Sequence, residues 1–287
     1  MGPLEFVRLD RLMARSSGRS QVMIGLIDGP VAMDHPDLSV AHIREVPAQH
    51  SAACLLASSV ACLHGTFVAG MLCARRGSSA PAICPDCTLL VRPIFAETPT
   101  ADAQMPSATP EELATAITDV IGAGANVINL SAALAQPSSR GERQLEQALD
   151  YAAQRGVLVV AAAGNQGTVG SSAITRHPWV IPVVACDLLG RPTAESNLGS
   201  SIGRWGLAAP GQGIVSLGAG GKPQTSSGTS AAAPFVTGAI ALLWSEFPGA
   251  TAAQIKVALM QAGRPPRRTI APPLLDAWAA YEAMSRN

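Results

Sequence analysis

One stretch constrains the fold of this chain more than any other: the segment Gly228–Pro234, which runs directly into the apolar run Phe235–Trp244. The apolar run predicts a buried helix, and the small residues before it predict a loop that turns into that helix. Backbone N–H groups at a helix N-terminus are unpaired and favour an anion. Ser230 therefore suits a nucleophile whose reaction builds an oxyanion; the alternative is a plain helix start capped by hydroxyl groups.

Short apolar runs alternate with helical segments along the rest of the chain. We expect strands at 22–27, 89–94, 126–130, 157–162 and 182–186, helices at 110–123, 140–155, 231–246, 251–262 and 274–284, and loops with brief strands at 187–227. Strands that alternate with helices predict an α/β fold with a mostly parallel central sheet and helices on both faces. Residues 1–19 are expected to form a short N-terminal arm, and residues 20–287 a single domain.

The composition predicts a folded chain and excludes two kinds of partner. Of the 287 residues, 48% are hydrophobic and 14% are charged, so we expect a sizeable core. The 20 basic and 20 acidic residues balance, and aromatic residues make up only 4%, so no nucleic-acid partner is expected. No apolar run reaches the roughly 18 residues that span a bilayer. Residues 1–20 contain no apolar signal-peptide region, so the cytoplasm is the expected compartment.

The six cysteines are Cys54, Cys62, Cys73, Cys84, Cys87 and Cys186. In a cytoplasmic chain they are expected to stay reduced and buried. Cys84 and Cys87 form a CxxC motif, but no second CxxC or histidine pair completes a zinc site. Redox-active, disulfide-bonded and plain-thiol states of this pair all stay open.

Three polar residues stand where apolar elements begin or end. Asp28 ends the first predicted strand, at the sheet edge where sites of open α/β proteins are built. Of the five histidines, His64 opens an apolar helical segment whose core would hold its ring in place. Taken singly, Asp28 could be a turn residue and His64 a core side chain. Together with Ser230 they give an acid, a base and a nucleophile in that order.

Four blocks resemble the signature blocks of the subtilisin-like serine proteases. They are Asp28-Gly29, His64-Gly-Thr, Ala161–Asn165 and Gly228–Pro234. Subtilisins carry their triad in the same order along the chain, Asp, His, Ser. The resemblance runs from about residue 20 to the C-terminus, and it implies a three-layer α/β fold and a serine endopeptidase.

The resemblance also implies a role for each matching residue. Ser230 would attack the scissile carbonyl, His64 would take and return its proton, and Asp28 would orient the imidazole. Asn165 would donate its side-chain amide to the oxyanion, beside the backbone N–H of Ser230. An extended peptide would pair with two substrate-lining segments through main-chain hydrogen bonds. Their residues would be Ser131, Ala132, Ala133, Ala162, Ala163 and Gly164.

Three further segments narrow the resemblance within the family. Asp28-Gly29-Pro30, Ala82–Cys87 and Arg92–Phe95 are similar to the cyanobactin maturation proteases, which process ribosomally made precursor peptides. Their macrocyclising branch carries a helical insertion between the Asp and His blocks, and the 36 positions from Asp28 to His64 leave little room for one. Cleavage of a leader peptide is therefore predicted. The alternatives are a peptide macrocyclase or ligase, and a catalytically silent peptide-binding module on the same fold.

We expect no cofactor and no metal. The segment 73–85 lacks the Asn-rich loop that wraps a calcium ion in secreted relatives, and Asp37 alone matches a ligand position. An ordinary turn acid is the simpler interpretation of Asp37. The peptide substrate is the only partner that the sequence indicates, and the oligomeric state stays open.

Overall fold

The computed structural model of the chain describes residues 1–98, 108–131, 142–262 and 269–286. Across these ranges, seven strands form one sheet and two form a small separate sheet. The strands are β1 (Met23–Asp28), β2 (His42–Glu45), β3 (Thr88–Pro93), β4 (Val127–Leu130), β5 (Leu158–Ala162), β6 (Val180–Cys186), β7 (Leu207–Pro210), β8 (Ile214–Leu217) and β9 (Pro223–Ser226).

All neighbouring strands of the large sheet are parallel, in the order β2-β3-β1-β4-β5-β6-β7. The central strands are buried on both faces, which explains why they are continuous apolar runs in the sequence. Ile27 of β1 is level with Leu130 of β4, so Asp28 and Ser131 follow side by side at the carboxyl edge. This edge is where ligands bind in open parallel sheets.

Helices cover the sheet on both sides and at its ends. They are α1 (Pro3–Phe6), α2 (Leu9–Arg15), α3 (Val60–Cys73), α4 (Pro110–Gly122), α5 (Glu142–Arg155), α6 (Ala173–Arg176), α7 (Ser200–Trp205), α8 (Thr229–Glu246), α9 (Ala252–Gln261) and α10 (Ala277–Ser285). Within the described ranges, none of them combines the length and the apolar character that a bilayer crossing requires.

Two hydrophobic cores lie between the three layers, one on each face of the sheet. Phe67 of α3 and Phe235 of α8 belong to the core on one face of the sheet. Ile117 of α4 and Leu149 of α5 belong to the core on the other face. Helix α8 is buried from Thr229 to Ser245, as its apolar sequence predicts. The predicted α/β class, with a mostly parallel sheet between helices, is confirmed.

The segment predicted as an N-terminal arm lies against the same core. Leu9 and Leu12 of α2 are completely buried, and α2 contacts both α8 and α10. At the start of α2, the Arg8 guanidinium Nε donates a hydrogen bond of 2.8 Å to Asp276 Oδ1, just before α10. The two ends of the described chain are therefore joined by apolar packing and an ion pair.

The structure differs from the sequence prediction in several elements. Strand β2 and the short helix α6 were not predicted. Residues 187–227, predicted as loops and brief strands, also contain the short helix α7. His64 does not open its helix: α3 begins at Val60, with the buried Ser59 as its N-cap residue. The Ala- and Ser-rich stretch before His64 has no clear hydrophobic period, so the sequence does not indicate that α3 begins at Val60.

The expectation that every cysteine stays reduced is wrong for one pair. Cys54 and Cys62 form a disulfide between the loop before α3 and the first turn of α3. Their Cα atoms are 5.5 Å apart, which is the usual separation across a disulfide. The other four cysteines are free and buried.

Candidate active site

The carboxyl end of β1 and the second turn of α3 bring Asp28 and His64 together. The distance between His64 Nδ1 and Asp28 Oδ1 is 2.7 Å. The Asp28 side chain is completely buried, whereas 14% of the His64 side chain is exposed. When Nδ1–H donates to the carboxylate, Nε2 is the unprotonated ring nitrogen and can accept a proton.

Two glycines set the separation of these side chains. A Cβ atom on Gly29 would overlap the carbonyl oxygen of Ala61 in α3. A Cβ atom on Gly65 would overlap the carbonyl oxygens of Gly29 and Pro30. The backbone of α3 therefore lies directly against the chain that leaves β1. This packing also explains why glycine, rather than serine or threonine, follows Asp28 in this chain.

The charge on Asp28 shifts the proton affinity of His64. Burial lowers the pKa of the His64 imidazole, but the negative charge of Asp28 and the hydrogen bond to it raise the pKa more, so it lies above its ordinary value. Asp28 Oδ2 is buried and has no hydrogen-bond partner among the described residues. Asp28 Oδ1 also accepts a 2.6 Å hydrogen bond from the Gly29 N–H. Because the carboxylate is buried, its negative charge favours the imidazolium form of His64.

The first turn of α8 leaves one backbone donor unused. The N–H of Thr229 donates to Asn165 Oδ1 at 2.8 Å. The N–H groups of Ala231 and Ala232 both donate to the Gly228 carbonyl, at 3.1 and 3.2 Å. The N–H of Ser230 has no hydrogen bond to any described residue. A donor at the N-terminus of this long helix is therefore available to an anion next to the Ser230 hydroxyl.

Asn165 is oriented by the residue before Ser230. Its Oδ1 accepts hydrogen bonds from the Thr229 N–H and from Thr229 Oγ1, at 2.8 and 3.0 Å. Since Oδ1 faces these donors, Nδ2 is the group turned outward, and Asn165 is exposed. Gly228 has φ of +115°, and a Cβ atom there would come within 2.9 Å of Asn165 Nδ2. A glycine is therefore required for the close approach of the loop to this amide.

A buried polar network ties β4 to α8 beneath the site. Asn129 is completely buried in β4, and its Oδ1 accepts a 2.8 Å hydrogen bond from Thr237 of α8. The Asn129 amide donates to Ser131 Oγ, also at 2.8 Å. Because each partner satisfies the other in a dry interior, this network fixes the position of α8 relative to the end of β4.

The predicted substrate-lining residues fall into two groups. Ala132 and Ala133 lie outside the described residues, whereas Ser131 follows β4 and is 7% exposed. Ala163 donates its N–H to the Val183 carbonyl at 3.0 Å, and Gly164 donates its N–H to Thr229 Oγ1 at 3.2 Å. Ala162 is paired with Val183 in the sheet. The N–H groups of Ala163 and Gly164 are therefore already used, and these residues can line a cleft without donating to a peptide strand.

Among the described residues, one group of three ligand-type side chains lies within 4.8 Å: Cys54, Cys62 and Glu97. The two sulfur atoms of this group are joined in the disulfide, so neither is a thiolate. Glu97 instead accepts hydrogen bonds from the N–H groups of Leu55 and Leu56. The disulfide and the Glu97 hydrogen bonds thus hold the loop before α3 in place.

Comparison with known proteins identifies the family. The family model described as "Subtilase family" matches residues 19–272. The chain belongs to the subtilase family. Subtilisin DY of Bacillus licheniformis is 29% identical to this subtilase over 258 residues, which are 88% of this chain and 87% of that protein. Subtilisin J of Geobacillus stearothermophilus is 30% identical over 239 residues, 83% of this chain and 59% of that protein. This subtilase is a serine endopeptidase.

Solved structures support the resemblance to the cyanobactin maturation proteases. A serine-to-alanine mutant of the protease domain of PatA matches with a TM-score of 0.84 and 32% identity, over 94% of this chain and 97% of that one. The prenylagaramide maturation protease PagA matches with a TM-score of 0.82 and 28% identity, over 96% and 97%. The PatG macrocyclase domain, at 23% identity, shows only the shared fold. The predicted resemblance to the cyanobactin maturation proteases is confirmed.

Sequence reasoning missed the residues that hold the predicted ones in place. Thr229 orients Asn165, Asn129 links β4 to α8, and Gly65 allows α3 to approach β1. A polar residue inside the apolar run 126–130 was the one available signal for Asn129, because a buried amide needs a partner. Thr229 and Gly65 stand beside Ser230 and His64, and their contacts emerge only in the folded chain.

Proposed function

We propose that this subtilase removes the leader from a ribosomally made precursor peptide by hydrolysis, with Ser230 as nucleophile, His64 as base and Asp28 as the orienting acid. The observation that carries this proposal has three parts: the 2.7 Å Asp28–His64 pair, a Ser230 N–H that no described residue accepts, and an outward-turned amide at Asn165. A peptide-binding module needs none of these features. The similarity to PatA and PagA supports the maturation role.

In the proposed reaction each of these residues has one role in bond formation or bond breakage. Ser230 Oγ attacks the scissile carbonyl carbon while its proton moves to His64 Nε2, so the new C–O bond leaves the negative charge on the carbonyl oxygen. His64, now charged and stabilised by Asp28, returns the proton to the leaving nitrogen as the C–N bond breaks. Water then attacks the acyl-enzyme by the same route and releases the leader acid and Ser230.

Two donors would stabilise the oxyanion. The Ser230 N–H carries the partial positive charge of the helix terminus, and Asn165 Nδ2 adds a neutral amide donor. Thr229 contributes indirectly, because it holds Asn165 Oδ1 and so fixes which end of the amide faces the substrate. Both donors are in place before the reaction, so little reorganisation is needed when charge develops.

The connection between Asp28 and His64 favours hydrolysis over cyclisation. Residues 29–59 are all described, and they contain a 3₁₀ turn at Pro36–Leu38 and the edge strand β2, with no inserted α-helix. A helix that shields the acyl-enzyme from water would have to come from elsewhere. Water therefore remains the expected second nucleophile.

Mass spectrometry of the products tests the proposal directly. Precursor peptides encoded beside the gene are incubated with the enzyme, and the expected result is two linear fragments whose summed mass exceeds the precursor by one water. Ser230→Ala should abolish both cleavage and labelling by a fluorophosphonate probe. Ser200→Ala, an exposed serine at the start of α7, should change neither.

Three results would contradict the proposal. A cyclic product without added water would establish a macrocyclase. Labelling that persists in Ser230→Ala would exclude Ser230 as the nucleophile. An unlabelled wild-type protein that still binds the peptides would establish the silent binding module.

A further inference from the structure

An open pocket lies on one side of Asn165 and has no role in the steps above. Its volume is about 680 Å³, and Asn165 and Gly228 form part of its wall. The turn after β6 supplies Asp187 and Arg191, and the chain that follows this turn supplies Glu195. Since Gly228 is the N-cap residue of α8, the pocket borders the place where the scissile carbonyl would lie.

The position of the pocket assigns it to the leaving-group side. Ser131 follows β4, and Ala162 is the last residue of β5. The pocket, in contrast, is formed at the ends of β6 and β7 and by the loop before Ser230. Asn165 stands between the two regions, after β5. A peptide whose acyl half lies along the β4 and β5 ends and whose carbonyl meets Asn165 therefore continues over the pocket.

Among the residues that the structure describes, one acid in the pocket has no countercharge. Asp187 is neutralised locally: Arg191 pairs with Asp187 Oδ2 at 2.8 Å, and the N–H groups of Leu189 and Arg191 donate to Asp187 Oδ1. Glu195 forms no ion pair with a described residue, and its side chain is exposed. Its backbone is fixed, however, because its carbonyl accepts a 2.7 Å hydrogen bond from the Gly167 N–H. The described lining of the pocket thus carries one net negative charge, on a loop whose backbone is held in place.

We propose that this pocket binds the side chain of one of the first two residues after the cut bond, and that Glu195 selects a lysine or arginine there. The inference rests on the proposed function, because it assumes a peptide that is cut at Ser230. Arg191 is held by Asp187, so an acidic side chain would meet Glu195 without a free cation to offset the repulsion. A precursor peptide with a basic residue in one of the first two positions after the cut would be recognised in this way.

The test compares peptides that share one acyl half and carry Lys, Gln or Glu in the first two positions after the cut. For wild type, kcat/KM should be about three- to fivefold higher with Lys than with Gln, and lowest with Glu, as an exposed ion pair allows. Glu195→Gln should remove this preference, and Glu195→Lys should reverse it. High salt should weaken it. Glu111→Gln, an exposed acid on α4 away from the pocket, should leave it unchanged.

An anilide substrate with the same acyl half and no residue after the cut separates the two proposals. Wild type and all Glu195 variants should hydrolyse it equally, because its uncharged leaving group forms no ion pair with residue 195. If the anilide is hydrolysed but the peptides show no preference for Lys, or the preference survives in Glu195→Lys, the pocket assignment is wrong while the proposed function stands. If wild type hydrolyses neither kind of substrate, both proposals are overturned.

Discussion

The two halves of the site are assembled by different means. The half that holds Asp28 and His64 depends on backbone packing: Gly29 and Gly65 let α3 lie against the end of β1, and Asp28 is completely buried. The half that holds Ser230 depends on hydrogen bonds between side chains and backbone, at an exposed edge where Asn165 meets Thr229. The Asp28–His64 half therefore depends on two glycines that allow close backbone packing, and the Ser230 half depends on polar side chains.

This difference predicts different responses to mutation. Close-packed backbone cannot yield without moving both elements, so a small addition in the first half should damage fold and activity together. Asn165 is an exposed polar side chain that can be removed with little effect on packing, so a change there should reduce activity alone. The following predictions test this contrast, beginning with the largest effect.

Gly65→Ala should cause the largest loss. The added methyl group overlaps two carbonyl oxygens, so α3 must shift and His64 moves away from Asp28. We expect kcat to fall between about 10²-fold, for a displacement near 1 Å, and about 10⁴-fold, for loss of the orienting acid. Stability should fall by about 1–3 kcal/mol, as for other overpacked sites. Steady-state kinetics and thermal unfolding measure both, and Gly122→Ala, which meets no atom within 4 Å, is the matched control.

Asn165→Ala should separate activity from stability. It removes one donor to the oxyanion, and loss of such a donor in subtilisin lowers turnover by about 10²–10³-fold. Asn165 is exposed and its hydrogen bond with the Thr229 N–H is only partly buried, so water can replace it and the unfolding midpoint should stay within about 2 °C of wild type. A rise in KM with unchanged kcat would show that Asn165 binds substrate and does not stabilise the oxyanion.

Thr229→Val should reduce activity less than Asn165→Ala does, but it should also cost stability, because Thr229 is completely buried. The change removes the hydroxyl that accepts from the Gly164 N–H and donates to Asn165 Oδ1, while the Thr229 N–H still holds the amide. We expect roughly a tenfold loss of kcat, and a loss of stability of about 1–3 kcal/mol because a buried N–H is left unpaired. Thr229→Ser keeps the hydroxyl and should restore both quantities; if it does not, the γ-methyl group is the important part.

Breaking the Cys54–Cys62 disulfide should change kcat least. The bond closes a short loop whose sequence separation is 8, so its loss should cost about 2–3 kcal/mol of stability on the loop-entropy account. His64 is positioned by the glycine contact, so kcat of the Cys54→Ser/Cys62→Ala variant should stay within about threefold of wild type at a temperature where it is folded. A much larger loss of kcat would mean that the disulfide, and not the glycine pair, positions α3.

The sequence predicted the parts of this fold that are governed by burial. Strands β1, β4 and β5 are apolar runs because both faces are covered, and α8 is apolar on all sides for the same reason. The edge strand β2 is mostly exposed and reads His-Ile-Arg-Glu, so no hydrophobic period marks it. Helix α7 is short and begins with serines and a glycine, which predict a loop equally well.

The candidate site was predictable in its reacting groups but not in its supports. Asp28, His64, Asn165 and Ser230 are marked by motif and order along the chain, because their side chains do the chemistry. The roles of Gly65 and Thr229 depend on atoms more than 30 positions away, and the Cys54–Cys62 bond depends on how the intervening loop folds back. Such contacts are properties of the tertiary structure. A single sequence gives no signal for them.

The central claim is that Asp28 makes His64 the base that activates Ser230. The most direct test is the pH dependence of fluorophosphonate labelling of Ser230 in wild type and Asp28→Asn. In wild type, labelling should rise with pH through a pKa above about 6.5, since the raised pKa keeps His64 protonated and inactive to higher pH. In Asp28→Asn the negative charge is gone and burial still lowers the pKa of the ring, so the rise in labelling should occur below about pH 6.5. The labelling rate on the plateau should fall by about 10⁴-fold. A limb at the same pH in both proteins would contradict the account.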